Sequence, residues 1–250
     1  MFKCKICGEE CVKATNQQAE EIIGLIKDSK EFVFLQTYPH YHPYCPNCGA
    51  ALFDYSPEQI ELIKNNSAAI KEIYADNSFI EIDPNKFALN CECAGYSFEL
   101  AGLHREAAFA YAAAVDLLNL CLVKYLSNNK DKILEALGPN KDYSKLNDFE
   151  AYKLAMERID VLRRLSLGHV IESKSNRTDC LFLYTSLVID FNKVELGLKM
   201  LDQLEDGGYD WLTDKTVVEI IKCLREKANA YLEATTIAID VENLNNETKE

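Results

Sequence analysis

The chain has 250 residues, 48% of them apolar and 27% charged, and carries a formal net charge of −13. That length and apolar content can fill one large core, or a small module beside a larger domain. A surface this acidic repels phosphate backbones, whose attraction supplies most non-specific nucleic-acid affinity, so the charge argues against a nucleic-acid partner. No run of about 18 apolar residues occurs, and no membrane span is expected. The N-terminus, Met-Phe-Lys-Cys, offers no apolar stretch of the signal-peptide kind. Ten cysteines without such a signal point to a reducing, cytoplasmic setting, where thiols bind metal or pack as small hydrophobes.

In chain order, the first element is a cysteine knuckle, Cys4-Lys5-Ile6-Cys7-Gly8, and a second follows at Cys45-Pro46-Asn47-Cys48-Gly49. Each spacing lets one tight turn aim two sulfurs at one ion, and Gly8 and Gly49 stand where the chain must turn back. Cys4, Cys7, Cys45 and Cys48 are therefore read as four ligands of a closed, structural Zn2+ site with no open position for substrate. Iron in a rubredoxin-like site is the alternative metal. A thioredoxin-type redox pair fits less well, because Cys4 has almost no chain before it. Cys11 could substitute as a ligand at the cost of the paired symmetry. His40 and His42 precede the second knuckle as loop or hydrogen-bonding residues. Between the knuckles, a short helix is expected from about Gln17 to Lys27, capped by Asn16. A strand is expected over Glu31–Tyr38, stopped by Pro39 and Pro43. This first stretch holds five lysines, no arginine and seven acids across residues 1–55, a net −2, so it lacks the basic stripe of a nucleic-acid zinc finger.

Beyond the second knuckle the pattern is helical. Ser56-Pro57-Glu58 is a start signal, with Ser as N-cap and Pro in the first turn. Ile60, Ile63, Ile70 and Ile73 continue at helical spacing, with an interruption at Asn65-Asn66-Ser67. A helix is expected from Asp83 to Ala101, broken by Gly102, and an alanine-rich one from about His104 to Leu126. Gly138-Pro139-Asn140 marks a turn. Further helices are expected at about 148–167, 178–205 and 214–241, separated by the loops Ser173–Arg177 and Asp206-Gly207-Gly208. Trp211 follows as a loop anchor, and the tail 242–250 is polar and frayed. Strand signals after residue 56 are confined to short runs such as Phe79–Ile82. Cys91, Cys93, Cys121, Cys180 and Cys223 all fall on expected helices, where buried packing is the default.

One helix pair has the grammar of a tetratricopeptide-type hairpin: Cys91, Ala94, Gly95, Phe98, Gly102, Ala107, Tyr111 and Ala114. Small residues such as Gly95 and Ala107 let the two helices approach, Phe98 and Tyr111 fill the space beside them, and Gly102 permits the turn. A fainter echo spans Ile159–Ile171, with Gly168 in the turn position. A plain helical bundle with an alanine seam is the simpler alternative.

The knuckles and this hairpin together resemble an uncharacterised group of bacterial cytoplasmic proteins. These carry an N-terminal pair of Cys-x-x-Cys zinc knuckles followed by tetratricopeptide-like hairpins. The likeness is best over Tyr41–Lys64, through His42-Pro-Tyr-Cys-Pro-Asn-Cys-Gly-Ala-Ala-Leu-Phe53, and looser over Phe87–Leu118. The first knuckle departs from it, with Lys5 where that group has proline. The resemblance implies a zinc ribbon, a helical-repeat scaffold and no assigned enzymatic activity.

The expected fold is thus mainly α, antiparallel helical hairpins preceded by a small zinc ribbon. The expected domains are a zinc-ribbon module at 1–55 with a helical insertion, a helical domain at 56–241 and a tail at 242–250. The expected function is a non-enzymatic scaffold that binds a protein or peptide partner. The chief alternative is a helical ribonuclease-like enzyme of a bacterial defence or toxin system. It would use Arg164 and His169, whose Arg-x4-His spacing suits an arginine and a general acid or base at a phosphodiester. A zinc-ribbon regulator of nucleic acid is the third reading, disfavoured by charge.

Overall fold

The computed structural model describes residues 2–11, 44–45, 47–82, 86–175, 177–206 and 215–247. The expected helix at 17–27, the strand at 31–38, His40, His42 and Trp211 lie outside them, as does the side chain of Cys11. The described chain is mainly helical. Its only regular strands among these residues are β1 (Phe2–Lys3) and β2 (Glu10–Cys11), an antiparallel pair with Phe2 opposite Cys11.

Nine α-helices follow among the described residues: α1 (Pro57–Asn65), α2 (Ser67–Ala75), α3 (Phe87–Leu100), α4 (His104–Asn128), α5 (Lys130–Leu137), α6 (Glu150–Glu172), α7 (Thr178–Asp190), α8 (Val194–Asp206) and α9 (Lys215–Glu247). A 3-10 helix, Tyr143–Asp148, precedes α6. The chain divides into two compact units. The first holds the knuckles and α1–α6, through Ser175, and the second holds α7–α9. The expected module edge at residue 55 lies inside the first unit.

The start of α1 obeys local rules. The Ser56 side chain accepts from the Gln59 N–H, and Gln59 accepts in return from the Ser56 N–H, a capping box with Pro57 in the first turn. The interruption read at Asn66 is real: its N–H bonds to Ile63 O, and a new helix starts at Ser67. Gln59 Nε2 also donates to Ala101 O at 2.8 Å, tying α1 to the end of α3.

Helices α3 and α4 form the close hairpin the small residues called for. A Cβ on Gly95 would lie 2.7 Å from the Tyr111 ring. Gly102 turns the chain with φ of +68°, which glycine adopts without the Cβ penalty. Phe98, Ala107, Tyr111 and Ala114 are fully buried beside this contact. Helix α4 packs along both α3 and α6. By length and composition α4 could cross a membrane, but most of that apolar stretch is buried inside the protein. It is a core helix. On α6, Ala155, Ile159, Leu162, Ser166 and Val170 form a buried stripe at helical spacing. Ser166 Oγ donates to Ala108 O on α4 at 2.8 Å, fixing the two helices in register.

The second unit has its own core, built around Phe182, Ile189, Leu201, Ile220 and Ala228. Gly197 lets α8 approach α7, since a Cβ there would lie 2.4 Å from Ile189.

Several expectations shift. The helix expected over 178–205 is two helices, because the chain turns at Phe191–Lys193 with Asn192 left-handed at φ 57°; asparagine tolerates that conformation better than most residues. Gly168 lies within α6 and makes no turn, so the echo at Ile159–Ile171 is not a second hairpin. Phe79–Ile82 forms turns rather than a strand. Helix α9 continues to Glu247, past the expected end at 241.

Candidate metal centre

The two knuckles fold alike. In the first, Cys4 N–H bonds to Glu9 O at 2.9 Å and Gly8 N–H to Cys4 O at 2.9 Å. In the second, Cys45 N–H bonds to Ala50 O at 2.9 Å and Gly49 N–H to Cys45 O at 2.8 Å. Gly8 and Gly49 sit at φ of +79° and +75°, the left-handed region that a side chain disfavours. Each turn is pinned at its base, the first by the β1–β2 pair and the second by a bridge between Tyr44 and Ala51. The same hydrogen-bonded ring therefore occurs twice, formed by residues about forty positions apart.

The four sulfurs converge. Cys4 Sγ lies 3.9 Å from Cys48 Sγ, and Cys7 Sγ lies 3.6 Å from Cys45 Sγ. All four are within 4.8 Å of one another. These separations are far beyond the roughly 2.0 Å of a disulfide. Sulfurs about 2.3 Å from one zinc at tetrahedral angles lie about 3.8 Å apart, which the observed distances bracket. Cys4, Cys45 and Cys48 are almost fully buried, and Cys7 is partly so.

The electrostatics agree with a cation site. Thiolates packed this closely repel, and the hydrogen bond from Cys48 holds Cys4 well below the ordinary thiol range, against the opposing effect of burial. The backbone N–H groups of Cys7 and Ile6 add to the lowering. Cys48 is pushed up by the same hydrogen bond and by burial. This crowding is what a divalent cation relieves. Asn47 Nδ2 reaches across from the second knuckle to Cys7 Sγ at 3.6 Å. The all-sulfur donor set and closed geometry suit zinc. The chain can bind a metal ion such as zinc here, and the arrangement leaves no fifth protein donor among the described groups of this cluster.

The second knuckle is set firmly on the helical body. A Cβ on Gly49 would meet Tyr74, Cys93 and Ile70 at 3.1–3.3 Å. Ala51 N–H bonds to Ser97 Oγ on α3. Cys93 lies under the knuckle without joining the sulfur cluster. Burial pushes its thiol well up, and its Sγ donates to Ile70 O. Cys91 and Cys180 are buried as expected, and Cys121 and Cys223 are partly so.

The alternative pair separates. Arg164 is exposed and bonds Asp160 one turn back on α6, at 2.9 Å from Nε. His169 is buried, with Nε2 3.2 Å from Glu99 Oε2 on α3 and its ring stacked on Tyr111. What the sequence reading missed is the neighbour of His169: His104, sixty-five residues earlier, lies against it. The only signal was His169-x-x-Glu172, which puts both side chains on one helix face. Searches of protein-family models, of curated proteins and of solved structures give no match to the chain.

Proposed function

We propose that the protein is a non-enzymatic, cytoplasmic interaction protein whose N-terminal zinc ribbon docks on a helical scaffold that binds a protein or peptide partner. The observation that carries this reading is the four-sulfur cluster, whose convergent thiols would close off an ion on every side and so favour a structural role. The α3–α4 hairpin supports it, because Gly95 admits the Tyr111 ring at close range and Phe98 and Tyr111 are buried beside that contact. The resemblance to bacterial zinc-knuckle proteins with tetratricopeptide-like hairpins belongs to this same reading.

The test is affinity capture from the native cell with the parent protein and with Cys45→Ser, read beside light scattering of the purified chain. A stoichiometric partner captured by the parent supports the scaffold, and its retention by the variant places the contact on the helices and not on the ribbon. A monomer with no stoichiometric partner overturns it. The ribonuclease-like alternative draws less support, since Arg164 engages Asp160 and His169 engages Glu99. RNA cleavage by the parent that disappears in His169→Ala would revive it.

A further inference from the structure

We propose that His104, His169 and Glu172 form a second metal site in the first unit, a three-ligand site for a divalent transition cation, separate from the four cysteines. The start of α4 meets the end of α6 here. His104 is the first residue of α4, placed by the Gly102 turn, and Glu172 is the last residue of α6. His169 and Glu172 share one face of α6, three residues apart.

The distances match a shared cation. His104 Nδ1 lies 3.1 Å from His169 Nδ1 and 3.2 Å from Glu172 Oε2. The three donor atoms lie within 4.8 Å of one another. Nitrogen and oxygen ligands about 2.0–2.1 Å from a tetrahedral zinc are about 3.3 Å apart, close to both measured separations.

Proton accounting points the same way. Glu99 Oε2 accepts from Tyr111 OH at 2.7 Å and faces His169 Nε2 at 3.2 Å. An ionised carboxylate can only accept, so His169 donates from Nε2, and its neutral ring then presents the Nδ1 lone pair toward His104. A single proton on His104 Nδ1 can lie along the line to His169 or along the line to Glu172. A cation among the three atoms takes a lone pair from each. The carboxylate on the far nitrogen of His169 is itself a mark of metal-bound histidine, since it fixes tautomer and ring orientation. Tyr111 braces that ring from one face, with centroids 5.8 Å apart and planes 17° from parallel.

Two imidazoles and one carboxylate select zinc, cobalt or nickel over magnesium or calcium. Three protein ligands leave a coordination position for water or an anionic group. It opens toward solvent, because the Glu172 side chain is 63% exposed and that of His104 36%. The four-sulfur cluster, by contrast, is closed.

The test uses untagged full-length protein with zinc already in the four-cysteine site, titrated with Co2+ alone. One further Co2+ per chain is expected, without the intense thiolate-to-cobalt absorption of a sulfur site. His104→Ala and Glu172→Gln should each weaken this binding at least about tenfold, and Glu99→Gln about tenfold through His169. Unchanged far-UV circular dichroism, with one zinc retained per chain, certifies that a variant is folded. Should His104→Ala lose that zinc, Glu172→Gln decides, since its side chain is exposed. Absence of a second equivalent in the parent, or unchanged Co2+ affinity in the folded variants, overturns the proposal.

Discussion

Gly95 shows how little room the α3–α4 hairpin leaves. An added methyl there would press on three atoms of the Tyr111 ring at 2.7–3.0 Å. The ring cannot swing away freely, because Tyr111 is buried and its hydroxyl is held by Glu99. Alanine favours a helix over glycine by up to about 1 kcal/mol, whereas overpacking a core costs about 1–3 kcal/mol. Overpacking wins, so Gly95→Ala should destabilise by about 1 kcal/mol in denaturant unfolding; a gain in stability would refute the close packing. Glu92 on α3 is a second informative residue. Burial raises its carboxyl above the ordinary carboxylate range, even though Arg158 from α6 donates to both its oxygens, from Nε and Nη2. A carboxyl held above its unfolded value binds its proton more tightly when folded. Stability therefore falls as pH rises from the ordinary value through the raised one. Arg158→Met removes the cation that opposes this rise, leaving a buried unpaired charge that costs about 3 kcal/mol near neutral pH. As pH falls and Glu92 takes up its proton, the deficit relative to the parent should shrink. A deficit that stays constant with pH would show that Glu92 is not its source.

At the scale of elements, the knuckles are too small to stand on apolar burial. Each is a single turn closed by two backbone hydrogen bonds. Structural zinc in comparable small modules contributes about 10–16 kcal/mol of apparent binding energy, enough to order such a turn. Cys45→Ser should lose bound zinc and amide protection across Cys4–Glu9 and Cys45–Ala50, while α3 and α4 keep theirs. The helices keep it because their hairpin rests on Phe98, Ala107, Tyr111 and Ala114, not on the metal. Hydrogen exchange followed by mass spectrometry reads both regions at once, and equal protection in variant and parent would dismiss these four ligands.

Over the whole molecule, the two compact units predict two responses to metal removal. Among the described residues, the core of the second unit is drawn from α7, α8 and α9. Its polar ties are internal as well: Lys227 pairs with Asp190 at 2.7 Å, and Arg225 reaches Asp202 at 2.8 Å and also Glu205. A chelator should lower the thermal transition of the first unit and leave that of the second unmoved in calorimetry. A single transition that shifts as a whole would mean the units unfold together.

Much of this was written locally. Ser56-Pro57-Glu58, the pause at Asn66 and the two Cys-x-x-Cys-Gly turns each depend on residues a few positions apart. Hydrogen bonds and glycine φ angles of that range follow from the order of residues alone. The Gly95, Gly102 and Tyr111 pattern foretold the close hairpin because its steric rule spans one turn. Asn192 was legible only in part, since a left-handed asparagine becomes a helix break when the helices on either side have a core to fold onto. Gly168 misled for the converse reason: buried neighbours on α6 carry a helix straight through a glycine that in isolation suggests a turn. The meeting of His104 with His169 and Glu172, and the rest of Cys93 beneath the second knuckle, were decided by packing. No local rule relates groups that become neighbours only when three helices share one core.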